Sequence, residues 1–169
     1  MKKILKVIDL ISDQTGKIVS WLSVALVALI TIEVTMRYVF DAPTMWNYET
    51  SMMTGGAMVV LAWAYVHSHN SHVRVDVLYS RCSPRSKALI DVIGTLLLFF
   101  PLIFLFTNTS ISHAVESWQT GERSIQTYWY PPLAPFRLIV AIGFALLAVQ
   151  GIATFVRNLN LLIKNKVYD

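Results

Sequence analysis

The chain has 169 residues, of which 55% are hydrophobic and 14% are charged, whereas an ordinary soluble domain has about 25% charged residues. This composition excludes a disordered chain, a nucleic-acid-binding arm and a typical soluble enzyme. The single cysteine, Cys82, excludes an internal disulfide, and the net charge of +4 is less informative than the position of the charges along the chain.

The N-terminal segment, residues 3–16, combines lysines and aspartates with regularly spaced isoleucines. These isoleucines fall near one face of a helix together with one from the first apolar run: Ile4, Ile8, Ile11 and Ile18. We therefore expect a short amphipathic helix that lies on the inner membrane surface and leads into the first span. The alternative is a frayed charged tail. The acidic residues and the full length of the following apolar run argue against a cleaved signal peptide.

Four charge-poor runs dominate the rest of the chain, at residues 18–40, 50–66, 90–112 and 137–157. Each is long enough to cross a hydrocarbon core of about 30 Å as a helix. None shows the alternation of apolar and polar residues that a membrane β-barrel requires. The sequence therefore predicts an all-α integral membrane protein, a four-helix bundle that forms a single domain over residues 1–169.

The basic residues predict how this bundle is oriented. Eleven lysines and arginines lie in residues 1–17, in the loop between the second and third spans, and from residue 157 to the end of the sequence, whereas two, Arg123 and Arg137, lie in or beside the third loop. Basic residues accumulate on the cytoplasmic side of membrane proteins. We therefore expect both termini in the cytoplasm and the first and third loops outside.

Charged residues inside the first span need an explanation, because ionisable groups within a membrane are usually functional. Glu33 and Arg37 stand four residues apart with the acid first, so one helical turn can pair them. Glu49 begins the second span at the same level, near the outer interface. We predict a network of Glu33, Arg37 and Glu49 with Trp46 nearby. Alternatively, Arg37 reaches the headgroups and pairs only with Glu33.

Small and polar residues within the spans predict contacts between helices. Gly55 and Gly56 form a patch that allows another helix to approach closely. Gln150 is a lone amide in the fourth span, and we expect it to hydrogen-bond to another helix. Pro101 lies within the third span and predicts a kink there.

The outer loop at residues 113–137 is rich in aromatic side chains. They include Trp118, Tyr128, Trp129 and Tyr130. Aromatic residues of this kind form a belt at the membrane interface. The same residue types also anchor protein–protein contacts, so either role is open at this point.

The chain shows no catalytic motif, and we expect neither an enzyme nor a resident metal or cofactor. The histidines His67, His69 and His72 are close in sequence, and imidazole binds zinc or nickel. However, no cysteine or carboxylate stands at a recognised zinc spacing from them. The alternative is a polar inner loop whose histidines lie near anionic lipid.

The order of several motifs resembles the small membrane subunit of tripartite ATP-independent periplasmic (TRAP) transporters, the DctQ-like family. The pattern E-x-x-x-R-Y-x-F, a short turn and W-x-x-E is matched by Glu33-Val-Thr-Met-Arg37-Tyr-Val-Phe40 and Trp46-Asn-Tyr-Glu49. The other elements follow in order: Gly56-Ala57, His72-Val-Arg74-Val-Asp76, Ser117-Trp118, Pro131-Pro132-Leu-Ala-Pro135, and Gly143 through Gln150-Gly151. The likeness covers about residues 20–157. It departs from the family at Ala134, where a tryptophan is common.

This resemblance implies a function that composition does not show. Such transporters use a sodium gradient to take up organic acid anions, carboxylates or sulfonates, across the bacterial inner membrane. A periplasmic protein captures the substrate, and a large elevator-type subunit holds the substrate and sodium sites. The small subunit is a scaffold surrounded by membrane lipids, with no nucleic-acid partner. The resemblance therefore implies that Trp46 and the outer-loop aromatics contact one of these two proteins.

Two other functions fit a four-span chain less well. A small multidrug efflux pump needs an acid near the midplane, but Glu33 lies about 24 Å from the inner surface. A membrane anchor of a redox complex would need a pair of facing haem ligands. His67 and His113 are predicted at opposite ends of their spans, about 30 Å apart.

Overall fold

The computed structural model describes residues 2–69 and 83–164, and this part of the chain is helical, as predicted from the sequence. Its only pairing of strand type is an isolated antiparallel bridge between Arg123 and Pro132. The helices are α1 (Lys2–Tyr38), α2 (Asn47–Ser68), α3 (Pro84–Gly94), a single π-helical turn (Thr95–Phe99), α4 (Phe100–Thr120) and α5 (Ala134–Lys164).

Three helical segments are long and apolar enough to cross a membrane: Lys3–Tyr38, Ser86–Thr120 and Ala134–Ile163. They contain the predicted first, third and fourth spans. The predicted second span lies in α2, whose 22 residues correspond to about 33 Å of helix. Because α2 carries more hydroxyl, glycine and other polar residues, it is less apolar than these three. Its crossing of the membrane stays a prediction.

The first helix differs from the expectation of a separate surface helix. α1 runs without a break for 37 residues, so the N-terminal segment continues directly into the first span. The isoleucine face that was expected to bind the membrane surface is mostly exposed, whereas Leu5, Ser12 and Val19 are buried. These three residues are spaced by seven, which places them on one face of the helix. That face packs against the rest of the protein.

The long helices form an open layer with α2 and α5 in the middle. α1 packs along α2, α2 along α5, and α5 along α4, while α1 meets α5 through a smaller contact. Burial agrees with this order: a third of the most apolar part of α5 is buried, against 6% in α1 and in the segment Ser86–Thr120. Within the described residues, the long helices are therefore arranged as a layer, and the four-helix bundle stays a prediction.

The sequence predicted a kink at Pro101. The structure has a π-helical turn, Thr95–Phe99, just before this proline. The amide of Phe100 donates to the carbonyl of Thr95, five residues earlier. Proline has no amide hydrogen, and its ring crowds the carbonyl four residues before it. Widening the preceding turn accommodates both effects within a continuous helix.

Candidate functional site

A cluster of polar side chains at the C-terminal end of α1 includes the predicted ion pair between Glu33 and Arg37. The Arg37 guanidinium donates to Oε1 of Glu33 at 2.8 Å. Oε2 of Glu33 accepts from the backbone amide of Thr44 at 3.3 Å and also from its hydroxyl. Since Thr44 lies in the turn between α1 and α2, Glu33 holds this turn against the end of its own helix.

Glu49 lies in a second cluster, and the structure does not bring it together with Glu33 and Arg37. Only 2% of Glu49 is exposed, and its carboxylate accepts a hydrogen bond from the hydroxyl of Thr127 in the outer loop. The bond that joins this end of α2 to α1 comes instead from Asn47, whose amide donates to the carbonyl of Leu29 at 2.8 Å. The predicted three-residue network is thus divided into two clusters.

Residues 113–120 and 134–137 of the predicted outer loop belong to α4 and α5. The part between these helices, residues 121–133, folds back over the ends of α2 and α5. Gly121 ends α4 in the left-handed conformation, which glycine adopts without strain. The loop is then closed by a 2.9 Å bond from the Ser124 amide to the Pro131 carbonyl. A 2.6 Å ion pair between Glu122 and Arg137 joins it to α5. These contacts place Thr127 over Glu49.

The aromatic residues predicted as contact sites are exposed. Trp118 and Tyr128 are 71% and 79% exposed, and Trp46, Trp129 and Tyr130 are exposed to a smaller extent. Sequence reasoning missed Ile125, which is 86% exposed at the loop surface. A single isoleucine among polar residues offers no periodic signal, so only the loop conformation identifies it.

The glycines of α2 face two different neighbours. A side chain at Gly55 would meet Leu26 of α1, whereas one at Gly56 would meet the ring of Phe136 of α5. α2 is therefore in close contact on both sides, as expected of a small-residue patch. A third glycine, Gly143 of α5, lies directly against the backbone of Val60 in α2.

Gln150 is fully buried and joins α5 to α1. Its amide oxygen accepts from the hydroxyl of Ser12 at 2.8 Å, and its amide nitrogen donates to Asp9 at 3.1 Å. Asp9 also pairs with Arg157, which lies seven residues after Gln150, about two turns along the same face of α5. The sequence predicted a helix partner for Gln150. It did not single out Asp9, Ser12 or Arg157. The first two are seen to face α5, which carries Arg157, only once α1 is known to be continuous.

The inner-loop residues are only partly described. The His69 ring contacts the Tyr65 ring in a tilted arrangement and lies 3.8 Å from Asp13, and His67 stacks on Phe99. His72 and the motif residues Arg74 and Asp76 lie outside the described residues. In residues 2–69 and 83–164, no group of three histidine, cysteine or acidic side chains is arranged to hold a metal ion.

Comparison with known proteins identifies the family. A family model described as "Tripartite ATP-independent periplasmic transporters, DctQ component" matches residues 26–161, which include the C-terminal third of α1 and nearly all of the other helices. A search of curated proteins finds no match. The match spans well over half of the chain. The protein is therefore a member of the DctQ component family of tripartite ATP-independent periplasmic transporters, a membrane-embedded transporter component and not an enzyme.

Proposed function

We propose that this chain is the scaffold subunit of a three-component transporter in the bacterial inner membrane. It pairs with a larger elevator-type subunit and supports the docking of a periplasmic substrate-binding protein. The complex takes up an organic acid anion, a carboxylate or a sulfonate, driven by sodium. The observation that carries the proposal is the family match over residues 26–161.

The distribution of charge supports a scaffold in preference to a solute pathway. The charged clusters lie near the helix ends: Glu33 with Arg37 at one end, and Asp9 with Arg157 at the other. The stretches 50–66 and 138–156 contain no charged residue. An anion moving through the middle of this chain would therefore meet apolar side chains without a compensating positive charge, which is strongly unfavourable in a membrane.

The exposed apolar faces support a membrane-embedded partner. Large side chains of α1, the π-helical turn and α4 point away from the layer, for example Trp21, Leu98 and Phe104, each more than 70% exposed. In a membrane, lipid covers such surfaces as well as protein does, so exposure alone does not locate the partner. An open layer nevertheless offers a second helical protein a far larger surface than a closed bundle would.

The predicted orientation supports the docking role. With both termini in the cytoplasm, the outer loop and its aromatics face the periplasm, where a soluble binding protein would meet them. Trp118 and Tyr128 project from this side without covering contacts. Exposed aromatic side chains are typical anchors of protein interfaces.

The experiment is reconstitution with the genes that neighbour this one. The tagged chain is expected to retain the larger membrane subunit during purification. Proteoliposomes with both subunits and the binding protein are expected to accumulate an organic acid anion only under an inward sodium gradient. Vesicles that contain this chain alone should accumulate none. Uptake by the chain alone, or by the larger subunit equally well without it, would contradict the proposal.

A further inference from the structure

The Glu49 carboxylate is buried at the N-terminal end of α2, where it has no counter-charge among the described residues. Oε1 accepts from the Thr127 hydroxyl. Oε2 is inaccessible to solvent and has no hydrogen-bond partner within 3.5 Å among the described residues, although the Ser124 hydroxyl and the Thr127 amide also lie close enough to act on the carboxylate. Such a group is unusual, because buried charges in proteins are normally paired as well as hydrogen-bonded.

No basic side chain of the described residues compensates this charge. At the same end of the protein, Arg37 pairs with Glu33 and Arg137 pairs with Glu122. Glu49 forms no ion pair in residues 2–69 and 83–164. Hydrogen bonds from the outer loop support this carboxylate, but no described residue supplies a counter-charge, so Glu49 can still pair with a cation that comes from elsewhere.

The carboxylate lines a cavity of about 110 Å³. The cavity walls are of two kinds: the polar residues Glu49, Ser124 and Gln126, and the apolar residues Met52, Met53, Leu133 and Phe136. Exposed Met52 and Gln126 lie where the cavity meets the surface. A charged group at the end of a flexible apolar stem fits such a lining, because its stem packs on carbon and its head reaches oxygen.

We propose that this cavity receives a lysine or arginine side chain of the larger membrane subunit, whose cation pairs with Glu49. The inference rests on the proposed function. The negative charge of Glu49 favours a positively charged side chain as the occupant of the cavity. Met52 and Met53 lie in the predicted second span, so the cavity opens at the outer boundary of the membrane. A basic side chain from a neighbouring transmembrane helix can snorkel to that level, whereas a soluble protein docks above it.

The first test compares Glu49→Gln with the native chain, alone and in the complex. Gln keeps an acceptor for Thr127 but removes the charge. The isolated variant is expected to remain folded with a Tm equal to or slightly below that of the native chain, because Gln keeps an acceptor for Thr127 but accepts hydrogen bonds less strongly than a carboxylate does. Its affinity for the larger subunit is expected to fall about 30-fold or more, which is the lower end of what the loss of one partner from a buried charge pair costs.

Glu116→Gln is the matched control, because Glu116 carries the same charge on the outer side but its side chain is 67% exposed. It should retain the larger subunit as the native chain does, and Glu49→Asp should retain it better than Glu49→Gln. Undiminished retention by Glu49→Gln would overturn the inference while the proposed function stands. Failure of the native chain to retain the larger subunit would contradict the proposed function itself.

A second test does not depend on the stability of the Glu49 variant. A photo-crosslinking amino acid replaces Gln126 at the mouth of the cavity in an otherwise native chain, and the crosslinked peptide is identified by mass spectrometry. We expect a segment of the larger subunit with a lysine or arginine beside the crosslinked residue. A segment without a basic residue, a crosslink to lipid only, or a crosslink to the binding protein would each overturn the inference.

Discussion

Ser12 of α1 and Gln150 of α5 are joined by a buried hydrogen bond of 2.8 Å, although 138 positions separate them in the chain. Both residues are almost completely inaccessible to solvent. Because Gln150 also donates to Asp9, the one amide connects the first and last helices through two bonds. This contact fixes the N-terminal part of α1 against the centre of the helical layer.

Replacement of Gln150 by Leu should therefore destabilise the folded chain. Ser12 and Asp9 would keep their polar atoms but lose the amide, and we expect a loss of about 1–2 kcal/mol. The measurement is the free energy of unfolding in mixed micelles. Ser23→Ala is the control, because the Ser23 hydroxyl is exposed and bonds only within α1. Equal stability of Gln150→Leu and the native chain would contradict this role.

Sequence reasoning located Gln150 but not its partners, and the reason is physical. A single amide in an apolar run must find a hydrogen bond, whatever the tertiary structure, so its importance can be predicted from local composition. Which side chain satisfies it depends on how helices far apart in sequence face each other. Glu33 and Arg37 were easier to predict as a pair, because the spacing of four residues brings them together within one helix.

The same distinction between local composition and long-range contacts explains which features of the fold could be predicted from the sequence. Hydropathy sums along the chain, so the long apolar runs and the all-α class could be predicted. The order of helices in the layer could not be, because lipid-facing and protein-facing surfaces are both apolar and carry no contrasting pattern. For the same reason Glu49 was grouped with Glu33, which is near it in sequence, and not with Thr127, which approaches it only after the outer loop has folded back.

The ion pair between Asp9 and Arg157 should hold the N-terminal part of α1 in place. Their side chains are 33% and 26% exposed, so the pair is largely shielded from water. Arg157→Gln is expected to cost about 1–2 kcal/mol and to speed amide hydrogen exchange in residues 3–16. Exchanging the two charges, with Asp9→Arg and Arg157→Asp together, should restore part of the protection. Lys6→Gln, at an exposed position, is the control. Unchanged exchange in Arg157→Gln would show that other contacts suffice.

The close packing of α2 against α5 can be tested at Gly143, with Gly94 of α3 as the control. A Cβ atom on Gly143 would overlap the Val60 side chain and lie 2.9 Å from its carbonyl oxygen, whereas a Cβ on Gly94 would meet nothing within 4 Å. Gly143→Ala should therefore lower the free energy of unfolding by about 1–3 kcal/mol. Gly94→Ala should raise it by about 0.5–1 kcal/mol through helix propensity alone. Similar effects of the two substitutions would mean that α2 and α5 do not approach as closely as described.

The exposed aromatics distinguish a docking surface from an interfacial belt. Trp118→Ala should raise the concentration of binding protein that gives half-maximal uptake by about fivefold or more, because an interface anchor contributes more than about 1 kcal/mol. Trp21→Ala is the matched control: Trp21 is 72% exposed and Trp118 is 71% exposed, but Trp21 lies at the middle of α1, near the predicted cytoplasmic end of the first span. Trp21→Ala should leave that concentration unchanged, and both variants should insert into the membrane normally. If Trp118→Ala also leaves it unchanged, Trp118 belongs to the lipid interface and the docking surface lies elsewhere on the outer side.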